Sequence, residues 1–153
     1  MKILVLVLIH MFGTFIFAQN VVINEVLYDP DGADSGYEWI ELYNDSDIQQ
    51  NLQDWTIEKA GTSFTLLYTL PDIIIESNSF LLIGEEFVPD TELTTILAFQ
   101  NGGSETDGIR LTSADGFYTD TILYDSPNSN GLPDDITNPG GYFAIDVADG
   151  NTL

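Results

Sequence analysis

The sequence predicts an all-β fold, a two-sheet antiparallel sandwich of about eight or nine strands, and two observations carry the prediction. Short apolar runs alternate with polar residues at every second position, and clusters of Gly, Asn, Asp, Ser and Pro separate those runs about every ten residues. No segment repeats its apolar residues at helical spacing. Strand number and spacing favour a sandwich over a closed barrel.

Residues 1–18 stand apart from this pattern. Lys2, the apolar run 3–17 and Ala18 ahead of Gln19 and Asn20 read as a secretory signal peptide cleaved after Ala18. An apolar stretch of about 15 residues falls short of the ~20 that a membrane-spanning helix needs. The expectation is therefore one domain over residues 19–153, secreted to the extracellular space or cell envelope, with no transmembrane segment after signal cleavage.

The strands follow in order. Val21–Leu27 (VVINEVL) is the first, and the loop 28–37 (YDPDGADSGY) turns the chain with two Gly and one Pro. Residues 38–43 (EWIELY) place Ile40 and Leu42 on one face and Trp39, Glu41 and Tyr43 on the other, which suits a strand. Residues 44–51 form a polar turn, and 52–59 a strand with Trp55 and Ile57 on one side. Residues 63–70 alternate again, Phe64, Leu66 and Tyr68 opposing Thr65, Leu67 and Thr69, until Pro71 ends the run. Residues 73–75 and 80–83 flank the Ser77, Asn78, Ser79 turn. The irregular stretch 85–99, interrupted by Pro89, is expected as loop plus one strand. Residues 109–112 and 119–124 make a hairpin about Ala114, Asp115 and Gly116, an Asp-Gly turn. Residues 125–140 are rich in turn formers, and 141–146 make a last short strand.

Composition excludes whole classes of chemistry. Without Cys there are no disulfides, thiolate metal sites, thiol nucleophiles or lipidated N-terminal Cys. Twenty-five acidic residues face three basic ones, and beyond the leader only Lys59 and Arg110 remain, so phosphate-based nucleic-acid binding is excluded. The single His, His10, leaves with the leader, and with it go histidine triads, histidine bases and histidine metal ligands. The apolar fraction of 44% in 153 residues is enough for a folded core despite a net charge of −22. That charge suits a solvated surface adapted to salt, or a domain whose self-repulsion is relieved by divalent cations.

Several groups are open to two readings. Asp29, Asp31 and Asp34, with Glu38 just after, put oxygen ligands suited to Ca²⁺ on a flexible loop, or are a solvated turn; the spacing is not that of an EF-hand. The loop 125–135 places Asn128, Asn130, Gly131 and Asp134 at calcium-loop positions but puts Thr137 where a bidentate acid belongs, and tight turns need the same residues. Trp39, Tyr43 and Trp55 are core packing or a sugar-stacking platform. Glu38 and Glu41 point to opposite faces of one strand, so a carboxylate-based hydrolase would need a partner such as Glu25; otherwise one Glu accepts backbone or Tyr hydrogen bonds at the sheet end and the other is solvated. Asn44-Asp45-Ser46 matches the N-glycosylation pattern.

Taken together, residues 22–28 (VINEVLY), 38–44 (EWIELYN), 52–57 (LQDWTI), the Asn101-Gly102-Gly103 loop with 108–111 (GIRL), and 120–124 (DTILY) resemble the lamin tail domain family over about residues 20–150. The resemblance, to its bacterial secreted type, implies an immunoglobulin-like β-sandwich without catalytic residues, hence no enzyme. It also implies a binding or anchoring module whose partner is a protein or cell-envelope component. Family members continue past the position of Asn151-Thr152-Leu153, so the expectation is either a missing edge strand, open to strand addition, or a fragment of a longer protein. The alternative function is a calcium-dependent carbohydrate-binding sandwich with a glycan partner.

Overall fold

The computed structural model describes residues 21–102, 104–135, 143–145 and 147–153, so the predicted leader and residues 136–142 lie outside the described residues. Among them there is no helix, and eleven strands run in order: β1 (Val21–Leu27), β2 (Trp39–Asn44), β3 (Gln50–Asn51), β4 (Thr56–Ala60), β5 (Phe64–Thr69), β6 (Ile74–Ile75), β7 (Phe80–Gly84), β8 (Leu93–Thr94), β9 (Asp107–Thr112), β10 (Thr119–Asp125) and β11 (Ala144–Ile145). One sheet has the order β1-β2-β7-β8, the other β11-β10-β9-β4-β5, and β3 pairs with β6. This is an all-β, immunoglobulin-like sandwich. Two corrections apply. The sheets are mixed, because β7–β8 and β10–β11 are parallel. The strand number exceeds eight or nine because pairings of two residues, such as β3 within the predicted polar turn, are too short to show a period.

The core lies between the sheets. Ile40 and Leu42 of β2, Leu81 and Ile83 of β7, Ile57 of β4, and Ile109 and Leu111 of β9 are all buried there. Tyr28 and Tyr124 meet at 4.4 Å between ring centroids where β1 closes on β10. Their rings contribute area at the sandwich seam that aliphatic residues cannot.

Two β-bulges change faces along strands that read as regular. Pairing of β1 with β2 skips Asn24, passing from Ile23↔Leu42 to Glu25↔Glu41. Val21 and Ile23 therefore point inward before the bulge and Val26 and Tyr28 after it, where strict alternation would have buried Glu25 and Leu27. Pairing of β4 with β5 skips Leu67, so Leu67 and Tyr68 both pack on the core while Leu66 is exposed. That departs from the predicted grouping of Leu66 with Tyr68. The predicted strand 52–59 also shortens: Leu52 and Trp55 are buried from a turn closed by Trp55 N donating to Leu52 O (3.0 Å), with Asp54 at φ 64°, and the strand begins at Thr56. The Asp-Gly hairpin forms as predicted. Gly116 takes the left-handed conformation (φ 72°), and Asp115 Oδ1 accepts hydrogen bonds from Ser113 Oγ and Phe117 N.

Two segments finish the molecule. The loop 125–135 folds onto the outer face of the second sheet, where Leu132 joins Ala60, Leu123 and Phe64 in a second apolar cluster. Arg110 lies 3.8 Å from the Phe64 ring centroid and donates from Nη2 to Pro133 O. The last residues run beside the free edge of β1: Gly150 N donates to Asp29 O, and Leu153 and Val26 exchange backbone hydrogen bonds. No helix among the described residues is long and apolar enough to cross a membrane.

Candidate binding site

One end of the sandwich gathers the loop 28–37, the segment 85–99 and the C-terminal residues. Two glutamates organise it. Glu38 and Glu85 extend the pairing of β2 with β7 by one residue, Glu85 N donating to Glu38 O, and both are buried. Glu85 Oε2 accepts from Gly36 N and Oε1 from Leu97 N (2.9 Å), while Glu38 Oε2 accepts from Phe99 N (2.7 Å). Buried carboxylates here replace a sheet ladder for two irregular segments whose N–H groups would otherwise be unsatisfied. Burial, with Glu85 and Asp34 nearby, pushes the Glu38 pKa up to about 7 against the opposing pull of the Phe99 N–H and Lys59.

On this frame stand three aromatic rings. Gly36, at φ 98°, accepts from Phe87 N (2.8 Å), and a Cβ there would stand 2.5 Å from the Phe87 ring, so only glycine lets the ring seat. Phe87 then meets Tyr37 at 5.2 Å between centroids. Together with the half-buried Trp39, and with Pro30, Asp31 and Gly150, they line an open cleft of about 320 Å³. Tyr37 is 46% exposed and Phe87 56%, so the cleft offers apolar surface to solvent. A neighbouring cleft of about 210 Å³ is lined by Asp34, Glu38, Glu85, Ile96 and Phe99.

The sequence-derived candidates divide among several places. Trp55 is core, 2% exposed, against Tyr118; Tyr43 packs on Phe80; only Trp39 lines the cleft. Asp29 and Asp34 share the amide of Asn101 (both 3.1 Å), whereas Asp31 turns into the cleft beside Gly150. No group of three or more His, Cys, Asp or Glu side chains is arranged to hold a metal among the described residues. Glu25 and Glu41 are cross-strand neighbours, tied by Thr152 Oγ1 and Asn24 Nδ2 respectively, and neither lines the two clefts described above. Asn44 is a structural residue: fully buried, its Nδ2 donates to Ile48 O and Glu76 O, so the folded domain presents no glycosylation acceptor there. Tyr37, Glu85 and Phe87 were missed. Their signal was faint, a Gly-Tyr-Glu and an acidic-aromatic pair at two ends of loops that only the fold brings together.

No curated protein matches the chain. A family model does, over residues 18–134, and its description is Lamin Tail Domain. That span takes in β1 through β10, both glutamates and the three rings of the cleft, and the chain belongs to the lamin tail domain family.

Proposed function

We propose that this domain is a secreted, non-catalytic module that binds or anchors to a protein or cell-envelope component through the Tyr37, Trp39 and Phe87 cleft. The observation that carries this reading is the pair of exposed rings, Tyr37 and Phe87, held in contact over a rigid frame in which Glu38 and Glu85 accept backbone N–H groups. Aromatic anchors on a pre-formed site are what a binding surface needs, since little conformational entropy is lost on contact. The same carboxylates are occupied as hydrogen-bond acceptors, which supports a structural role for them over acid–base work. The membrane-export reading of residues 1–18 supports secretion.

A second reading keeps the same cleft and changes the partner. Trp39 and Asp31 both line it, and Asp31 would supply a carboxylate to Ca²⁺ in calcium-dependent glycan binding. The chain and its Trp39→Ala and Phe87→Ala variants, tested by biolayer interferometry on isolated cell-envelope sheets and on immobilised polysaccharides, separate the two. Each variant is expected to lose about tenfold in affinity for envelope sheets with its melting unchanged. Polysaccharide binding that requires Ca²⁺ would establish the glycan reading instead. Variants that bind like the parent, or a parent that binds neither, would overturn the cleft as the site.

A further inference from the structure

A cluster of oxygens that the aromatic cleft does not use gathers where β9 begins and β10 ends. Asp107, the first residue of β9, is 5% exposed, and its Oδ2 is buried without a hydrogen-bond donor. Its cross-strand partner is Tyr124, so Asp125 follows immediately beyond the pair. Burial first, and the nearby Asp125 charge second, push the Asp107 pKa up to about 6.

Asn130 reaches the same place from the covering loop. Its Nδ2 donates to Gly61 O and to Thr106 O, the residue before Asp107. Two carbonyl acceptors fix which way the amide points, and Oδ1 is thereby left buried with no donor. Gly61 marks how near the groups are: a Cβ there would stand 3.6 Å from Asp107 Oδ1 and 3.9 Å from Gln100 Oε1.

Among the described residues nothing positive answers those oxygens. Lys59 Nζ donates to Ala98 O, Arg110 Nη2 donates to Pro133 O, and the remaining Lys2 and His10 lie in the leader. A buried carboxylate oxygen and a buried amide oxygen, with the Asp125 charge close enough to act on Asp107, are stabilised by a cation that accepts oxygen ligands. We propose that Asp107, Asp125 and Asn130 form a Ca²⁺ site at the junction of β9, β10 and the covering loop. Ca²⁺ is preferred to Mg²⁺ because donors from three separate segments, including a neutral amide, suit its irregular shell better than a strict octahedron. This site is distinct from the Asp29, Asp31, Asp34 loop, and it stands independently of the binding cleft.

The test is calorimetric titration and thermal melting of the whole chain with CaCl₂, against MgCl₂, for the parent, Asp107→Asn, Asp125→Asn and the double variant Asp31→Asn/Asp34→Asn. Ca²⁺ at about 100 times its Kd is expected to raise the parent's Tm by roughly 10 °C. Asp107→Asn and Asp125→Asn are each expected to weaken binding at least tenfold while melting cooperatively in EDTA, and the double loop variant to bind like the parent. Two carboxylate variants are used so that a folding failure in one leaves the other to decide. The proposal is overturned if both bind Ca²⁺ like the parent, if only the double loop variant loses binding, or if the parent takes up no Ca²⁺ at roughly 10 mM, about ten times the Kd at the weak end of known protein sites.

Discussion

At Glu38 one side chain sets both the frame of the cleft and its response to pH. Its carboxyl is 2% exposed and its pKa is raised to about 7 from an ordinary value of 4.5. A raised carboxyl contributes stability that is fully present below the unfolded pKa and is lost as pH rises through the folded one. The domain therefore loses stability from Glu38 between about pH 4.5 and pH 7, an effect on the order of 3 kcal/mol. Glu38→Gln keeps an oxygen for the Phe99 N–H and cannot ionise. Melted in EDTA, it is expected to match the parent near pH 4.5 and to exceed it by several degrees at pH 8. An equal deficit of the variant at both pH values would mean that Glu38 is ionised throughout and held by its hydrogen bond. Sequence reasoning reached half of this: it set Glu38 and Glu41 on opposite faces, with one as a backbone acceptor. It missed Glu85, because Glu85 follows β7 in a stretch with no period, and only pairing with β2 places it beside Glu38.

Among the elements, β1 shows where periodicity fails as a guide. The run VVINEVL is legible as a strand from its composition, but its burial depends on the bulge at Asn24, and a one-residue insertion in a pairing leaves no mark on the alternation itself. The same is true of Leu67 in β5. Strands β2, β7, β9 and β10 were legible because none of them carries the extra residue of a bulge, whereas β3, β8 and β11 are too short to carry any period. The outer edge of β1 is protected by two devices. Asp120 of β10 accepts from Ile23 N, and the C-terminal residues take Val26 and Asp29, with Thr152 Oγ1 donating to Glu25. Removing residues 150–153 is expected to cost about 2–4 kcal/mol, from hydrogen bonds worth roughly 1 kcal/mol each, and to lower the Tm by about 10 °C while the melt stays cooperative. Sedimentation of the shortened chain should also show concentration-dependent self-association through the bared edge. An unchanged Tm would show that these residues do not contribute to the fold in solution.

Over the whole molecule, charge and structure are separately adjustable. The net charge of −22 arises from 25 acidic residues, while Lys59 and Arg110 both serve to fasten loops to the second sheet, through Ala98 O and Pro133 O. Surface repulsion of this kind destabilises a compact state and is screened by any monovalent salt, since the Debye length falls from tens of ångströms at low ionic strength to about 3 Å at 1 M. Raising NaCl from about 20 mM to 0.5 M is therefore expected to raise the Tm by several degrees, with KCl equivalent. The proposed Asp107 site behaves differently, because a buried ligand set is poorly screened and selects by coordination. Its Ca²⁺ increment should persist in 0.5 M NaCl at an unchanged protein concentration, diminished by less than about half. If high salt instead abolishes the Ca²⁺ increment, the ion acts as a general counterion to the acidic surface. A Tm that ignores both salts would mean that the acidic residues are spaced widely enough for solvent alone to separate them.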